Sequence, residues 1–560
     1  MTAIYDVPGH QGSESGLLSR ERTIAKPGFN RWLVPPAALA IHLSIGMAYA
    51  LSVFWKPLAK AIPNEDVAAC KGIGFLSLLT TTTCNWPDSA TVVTFEIGIV
   101  FLGISAALFG GWLERAGPRK AGLVAAAFWG GGFLISAFAV HIHQLWLLYI
   151  GLGLIGGIGL GLGYISPVST LIKWFPDRRG MATGMAIMGF GGGAMIGAPL
   201  ANLLMSGGNV VSWPAIGLNL NVSGFKSAAG PGVMETFVVL GLLYLVVMTI
   251  GALSYRVPPE NWAPQGWVAP ARSTALIAHG DVHLDDAHKT FSFWMIWGVL
   301  FLNVTAGIAV LSIASPMLQT IFGPRLIGLA PGTTPTAAQT TAIAGIAAGF
   351  VGLLSLFNIG GRFFWASISD KIGRKATYAI FFTLGMILYA SVPTLADSGS
   401  KALFVGALCI ILSMYGGGFA TVPAYLADIF GTKFVGAIHG RLLTAWSLAG
   451  VVGAEVIVRV RDQQIAAGVP KTQVYDAVMY IMVGLLAAGF ICNLLVRPVD
   501  AKWLMRKNDG AGTPEAATSS SQGIGLGSLR GPALIPWLII AIPVSWGLYK
   551  AILSALKILT

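Results

Sequence analysis

Long apolar runs alternate with short polar stretches from residue 32 to residue 496. A helix crosses a bilayer core with about 20 consecutive, mostly apolar residues. Twelve segments meet this requirement: 32–54, 92–112, 122–141, 145–170, 181–204, 236–255, 293–315, 341–365, 376–394, 402–425, 437–458 and 476–496. A thirteenth, at about 533–552, follows a Gly/Ser-rich stretch at 508–528. The pattern predicts an all-α membrane protein.

Composition agrees with this reading. Of the 560 residues, 55% are hydrophobic and only 10% are charged, whereas a soluble domain carries roughly a quarter charged residues. The net charge of +12 would suggest nucleic acid in a soluble protein. Here the cations fall between the apolar runs, with no compact basic patch interleaved with aromatics, so topology accounts for them and a nucleic-acid partner is excluded. With the N-terminus placed inside, inside segments up to residue 507 hold 22 Lys and Arg, and outside loops hold 9. The bias puts the N-terminus in the cytoplasm of a bacterial inner membrane. A C-terminus following a thirteenth span would then be periplasmic. The first thirty residues are polar and lack an apolar cleavable segment, so the first span serves as the targeting signal.

The four cysteines form no CxxC pair, which argues against zinc or redox chemistry. Cys409 and Cys492 fall inside apolar runs and read as packing residues. Cys70 and Cys84 share the loop after span 1 and form a candidate disulfide if that loop faces the periplasm. No Walker motif is present, and the glycine runs, such as 156–163 and 189–193, read as helix-packing surfaces. Neither a metal, a cofactor nor an enzymatic activity is expected, and a solute or ion gradient would supply the energy.

The chain also repeats itself. After the second span it reads Gly110-Gly-Trp-Leu-Glu114-Arg115-Ala-Gly117-Pro118-Arg119-Lys120, and after the eighth Ala366-Ser-Ile-Ser-Asp370-Lys371-Ile-Gly373-Arg374-Lys375. Glu114 and Asp370 occupy the same place 256 residues apart. Six spans plus six spans with a recurring charged turn is an internal duplication. The expected organisation is a cytoplasmic tail at 1–31, a six-helix bundle at 32–256 and a cytoplasmic linker at 257–291. A second bundle at 292–497, a Gly/Ser-rich linker at 498–530 and an extra transmembrane helix at 531–560 complete it.

The recurring acidic–basic–x–Gly–basic turn resembles the signature loop of the major facilitator superfamily. That resemblance implies two six-helix bundles around a central cavity, with Glu114, Arg115, Arg119, Asp370, Lys371 and Arg374 as conformational-switch residues. Each acid, at a helix end, can pair with a cation or a helix N-terminus across the bundle interface. Pro118, where a basic residue is usual, and Ala366, where Gly is usual, depart from the pattern. Five further stretches carry a narrower likeness: Gly46 to Phe54, Gly163 to Gly180, Asn303 to Gly307, Gly360 to Arg362 and Ala427 to Lys433. Together they resemble the oxalate/formate antiporter family, and span 8 is similar to that of the monocarboxylate transporters. The terminal span resembles a small single-span protein that accompanies some of these transporters, here fused.

Arg362 is the most informative residue. Eight residues separate it from Asp370, which at 1.5 Å per residue places it about 12 Å inward, near the midplane. A guanidinium at that depth costs at least about 2.5 kcal/mol, and its planar fork of donors fits a carboxylate. A snorkelling or structurally paired arginine is the competing reading. The resemblance agrees with substrate binding, because the family's span 8 arginine matches Arg362. In span 11 the chain has Thr444-Ala445-Trp446 where the oxalate transporters carry a lysine after Thr-Ala. One cation plus an indole suits a monocarboxylate better than a dianion. Tyr164, Tyr49, Tyr415 and Phe419 are further candidates for the substrate site, against the alternative of packing. His42, near mid-depth, is a candidate proton site or a hydrogen-bonded structural histidine.

The expected function is secondary active transport of small organic carboxylates by alternating access. Oxalate and formate, or monocarboxylates such as lactate and pyruvate, are the candidate substrates. Partners would be the carboxylate, the lipid bilayer and a coupling proton or counter-anion, with the monomer as the working unit. The alternative is a proton-coupled antiporter for another small solute or drug. That class usually needs an intramembrane acid, and Glu96, Glu235 and Glu455 all lie toward outer span ends.

Overall fold

The computed structural model describes residues 21–59, 72–206, 232–259, 280–330, 332–470, 472–505 and 534–559, with short pieces at 16, 18–19, 61–62, 70, 209–213, 218–222, 225 and 262–264. The Gly/Ser-rich stretch at 508–528 lies outside the described residues, as do most of the N-terminal tail and the middle of the 257–291 linker.

Among the described residues, twelve helices are long and apolar enough to cross a membrane. In chain order they are α1 (Val34–Ile45, continued as a tight 3-10 turn over Gly46–Phe54), α2 (Asp88–Ala116), α3 (Pro118–His141), α4 (Leu145–Trp174), α5 (Arg179–Ser206) and α6 (Val233–Ser254). The second set is α7 (Phe291–Phe322), α8 (Ala337–Ile372), α9 (Arg374–Asp397), α10 (Lys401–Phe430), α11 (Val435–Ala466) and α12 (Asp476–Leu495). A further apolar helix, α13, runs over Ile535–Leu559.

Local chemistry sets the helix limits. The α8 helix begins on a reciprocal cap, in which Thr336 accepts from the Gln339 amide and the Gln339 side chain accepts from that of Thr336. It runs past the apolar limit at 365 through Asp370 and Lys371, because a helix continues in water until its backbone is turned. Gly373 turns it, at φ +87°, and Gly117 ends α2 in the same way at φ +86°. Only glycine adopts that conformation without strain. The α4 helix widens into a π stretch over Tyr149–Ile155, and α11 is interrupted at Leu443. One element goes beyond the apolar pattern: Asn209–Trp213 and Leu218–Val222 pair antiparallel between α5 and α6, with Asn209 opposite Val222 and Trp213 opposite Leu218.

The two charged turns lie at one end of the helices, called here the motif end. The α1–α2 connection lies at the other, where Cys70 and Cys84 form a disulfide with Cα atoms 5.6 Å apart. The two halves meet along α5 with α8 and α10, and along α2 with α11. Glycines permit the close approach, for a Cβ on Gly184 would lie 2.8 Å from the Arg362 carbonyl oxygen and one on Gly110 2.7 Å from the Ala437 Cα. The α13 helix packs on α8, α5 and α1 and so touches both halves. The Trp537 indole donates to the Trp32 carbonyl at 2.9 Å, and Gly547 lies against the Met195 backbone.

Candidate functional site

Arg362 is fully buried where α8 meets α5. Its Nε donates to Asn358 Oδ1, one helical turn earlier, at 2.9 Å, and its Nη1 donates to the Ile187 carbonyl of α5 at 3.1 Å. Its Nη2 forms no well-aligned hydrogen bond. Two neutral oxygens therefore hold the guanidinium in place, and among the described residues no carboxylate pairs with it. Phe419 and Phe190 lie on its flanks, with ring centroids 5.4 Å and 5.9 Å from Cζ.

The remaining candidates gather around this cation. Trp446 of α11 is buried, and its ring lies 4.6 Å from Phe419, 5.4 Å from Tyr164, 5.4 Å from Phe190 and 6.2 Å from Tyr49. Tyr415 sits one turn before Phe419 on α10, ring to ring at 5.3 Å, and its hydroxyl meets that of Tyr49 at 3.3 Å. Residues 49, 164, 362, 415, 419 and 446, drawn from five helices, thus form one cage. Tyr49 alone among them is half-buried. The Trp446 Nε1, the Tyr164 hydroxyl and Arg362 Nη2 are buried and form no well-aligned hydrogen bond, while the Tyr164 and Tyr49 hydroxyls face the guanidinium. Three donors without hydrogen bonds in one cage can serve an acceptor there.

Sequence reasoning missed Phe190. It is the lone aromatic in the glycine run 189–193, and its isolation among glycines was the available signal. Asn358, the neutral residue one turn before Arg362, was not among the sequence candidates either. His42 lies beside the cage and bonds two backbone carbonyls, described below.

Charged residues close the motif end. Asp370 accepts the backbone N–H groups of Gly180 and Met181, at the start of α5, at 2.8 Å and 2.9 Å, which is anion capping of a helix N-terminus across the two halves. Arg374 binds Asp370 at 2.7 Å and Asp428 at 3.0 Å. Arg179 reaches the same Asp428 from the other half at 3.1 Å. The first motif behaves differently. Glu114 stays within its own half, accepting from Lys173 at 2.6 Å and from Ser169 at 3.0 Å. Pro118 stands where the second motif has Arg374, so the matching cation is missing. Arg119 is buried, with its guanidinium on the Tyr255 carbonyl at 3.2 Å, and Lys371 is exposed.

Behind these contacts, toward the motif end, opens a vestibule of about 960 Å³. Arg115, Lys173, Arg179, Lys433 and Arg441 line it, and Glu114 and Asp285 are the acids in its wall among the described residues. Arg441 binds Asp285 at 2.8 Å and holds its carboxyl below the usual carboxylate range. The mouth is therefore cationic. None of the cage residues lines the vestibule, so the cage is shut off from this side.

Known proteins are similar to this chain in sequence and in fold. Residues 28–454 match the family described as Major Facilitator Superfamily. The oxalate:formate antiporter of Oxalobacter formigenes is 27% identical over 344 residues, 61% of this chain and 69% of that protein. Apicoplast pyruvate carrier 1 of Toxoplasma gondii is 24% identical over 447 residues, covering 74% of this chain and 76% of that one. The crystal structure of the Escherichia coli fucose:proton symporter superposes with a TM-score of 0.52 at 15% identity, over 84% of this chain and all of that chain, a likeness of fold. Twelve spans in two halves, a charged turn that recurs between them and a family match over most of the length lead to one conclusion: the chain belongs to the Major Facilitator Superfamily of membrane transporters.

Proposed function

We propose that the protein moves small carboxylates, with monocarboxylates such as pyruvate, lactate or formate preferred, across the bacterial inner membrane by alternating access. The observation that carries this reading is the trio of buried donors without a well-aligned hydrogen bond, Arg362 Nη2, Trp446 Nε1 and Tyr164 OH, in one aromatic cage. A carboxylate offers two oxygens with lone pairs enough for all three. Its charge offsets the cost of the buried guanidinium, and the rings of Phe190, Phe419 and Tyr415 enclose a small apolar remainder. With a single cation in the cage, a monoanion is neutralised, and a dianion keeps a charge in a low-dielectric site. Oxalate and pyruvate are named for the two relatives above, which supports the substrate class.

In this scheme the bundles at 32–256 and 292–497 rock about the cage, and the motif end faces the cytoplasm, where Lys and Arg concentrate. The ion network of Arg179, Asp370, Arg374 and Asp428 holds that end closed. Anion binding at Arg362, whose partners come from α5 and α8, biases the seam along which the halves part. Counterflow into proteoliposomes tests the reading: vesicles loaded with unlabelled pyruvate, lactate, formate or oxalate should take up the same labelled acid. Absence of counterflow for all four would refute it.

A further inference from the structure

Two buried histidines beside the cage have lopsided hydrogen bonding. His42, on α1, is fully buried. Its Nδ1 faces the carbonyl oxygen of Ala186 on α5, and its Nε2 faces that of Tyr164 on α4 at 3.1 Å. A neutral imidazole has one N–H and one lone pair. Two carbonyl acceptors are satisfied together only by the doubly protonated ring. His439, in the first segment of α11, is also fully buried, and neither of its ring nitrogens has a partner. One histidine thus faces more acceptors than its neutral form can serve, and the other holds an unused lone pair and an unused N–H.

Their placement links the cage to the vestibule. The Tyr164 ring lies between them, 5.3 Å from the His42 centroid and 5.8 Å from that of His439, and it also walls the cage. Phe434 and Arg441, which flank His439 in sequence, line the vestibule. The charged and titratable groups acting on His42 are Arg362 from α8, Tyr164 from α4 and His439 from α11. Among the described residues no carboxylate bonds to either ring. With the cage empty, a proton on His42 is repelled by Arg362. With an anion on Arg362, the repulsion is cancelled. Proton and anion occupancy therefore favour each other, and such coupling is reciprocal.

We propose that His42 and His439 form a proton site, loaded from the vestibule through His439, which carries one proton with each carboxylate held at Arg362. The proton comes from water on one side and is released to water on the other, so charge and atoms balance and a monoanion crosses electroneutrally. The inference rests on the carboxylate reading above, and counterflow at equal pH tests that reading separately.

The test uses the full chain in proteoliposomes and whichever labelled acid, pyruvate, lactate, formate or oxalate, exchanges fastest at equal pH. For a monoanion carried with one proton, one pH unit, acid outside, should raise accumulation about tenfold. For oxalate the same gradient should still drive accumulation. Entrapped pyranine should report about one proton entering per anion. In His439→Gln and His42→Gln the ratio of gradient-driven accumulation to exchange should fall to its value without a gradient. Net wild-type uptake into vesicles without internal substrate, if no proton enters with the anion, overturns the proposal, and so does a full gradient response in His439→Gln. If a glutamine variant fails to insert, the asparagine variant at the same position, His439→Asn or His42→Asn, is read in its place.

Discussion

Asp428, near the end of α10, binds Arg179, at the head of α5, at 3.1 Å across the seam between the two halves. Arg374 takes its other oxygen at 3.0 Å, so one carboxylate joins cations from both bundles. Hydrogen bonds to charged groups contribute about 1.5–3 kcal/mol each, and these side chains are largely shielded from water. Asp428→Asn should therefore loosen the motif end by roughly tenfold or more. A cysteine placed at Thr183, whose hydroxyl now donates to the Ala420 carbonyl at 2.6 Å, would report it through a matching rise in maleimide labelling. Unchanged labelling would show that the pair does not hold the seam.

Arg362 separates a binding role from a structural one. Arg362→Lys keeps the charge but loses the fork, and Arg362→Gln loses both. Uptake per folded molecule should be strongly impaired in the first and nearly absent in the second. Carboxylate affinity should weaken tenfold to a hundredfold or more, the equivalent of about 1.5–3 kcal/mol. Near-normal uptake by folded Arg362→Gln, with reduced thermal stability, would make the residue structural.

Trp446 stands where a second cation would change the charge count of the cage. Trp446→Lys would place a second cation against Tyr164 and Phe419 and should shift competition for uptake from lactate and pyruvate toward oxalate. A wild-type protein that already binds oxalate far more tightly than any monoanion would refute the role assigned to the indole.

The disulfide and the charge bias make a joint prediction about topology. After reduction, an impermeant thiol reagent added from the periplasmic side should label Cys70 and Cys84, and a cysteine introduced in the 257–291 linker should resist it. The opposite pattern would invert the orientation. If α13 spans, a tag after residue 560 should be reachable only from the periplasm. Replacing both cysteines with serine opens a loop with a sequence separation of 14, for which chain entropy corresponds to about 3 kcal/mol. The melting temperature should fall.

The twelve spans, the terminal helix and the six-plus-six repeat were legible in the sequence, because lipid demands long uncharged runs and leaves charges only where a chain turns in water. Arg362 stood out for the same reason, as a lone cation in such a run, with a structurally paired arginine as the competing reading. Both motif acids were visible too, but their partners were not. Glu114 turns to Lys173 within its half while Asp370 caps α5 across the seam, and the two turns differ where Pro118 replaces the cation that Arg374 supplies.

The cage was decided by tertiary structure. Tyr49, Tyr164, Tyr415, Phe419 and Trp446 are scattered over some four hundred positions, and on any one helix an aromatic reads equally as packing. Only the crossing of α1, α4, α8, α10 and α11 brings them to one arginine. Phe190 and His439 carry no local signal strong enough to stand out, since a ring among glycines or a histidine near a helix start is common. Their significance lies in what surrounds them: a cation for Phe190, and for His439 a buried space with no hydrogen-bond partner. Hydrophobic periodicity sets each helix against lipid or protein one segment at a time. Which polar atoms end up unpartnered depends on every helix at once, and only the folded chain determines that.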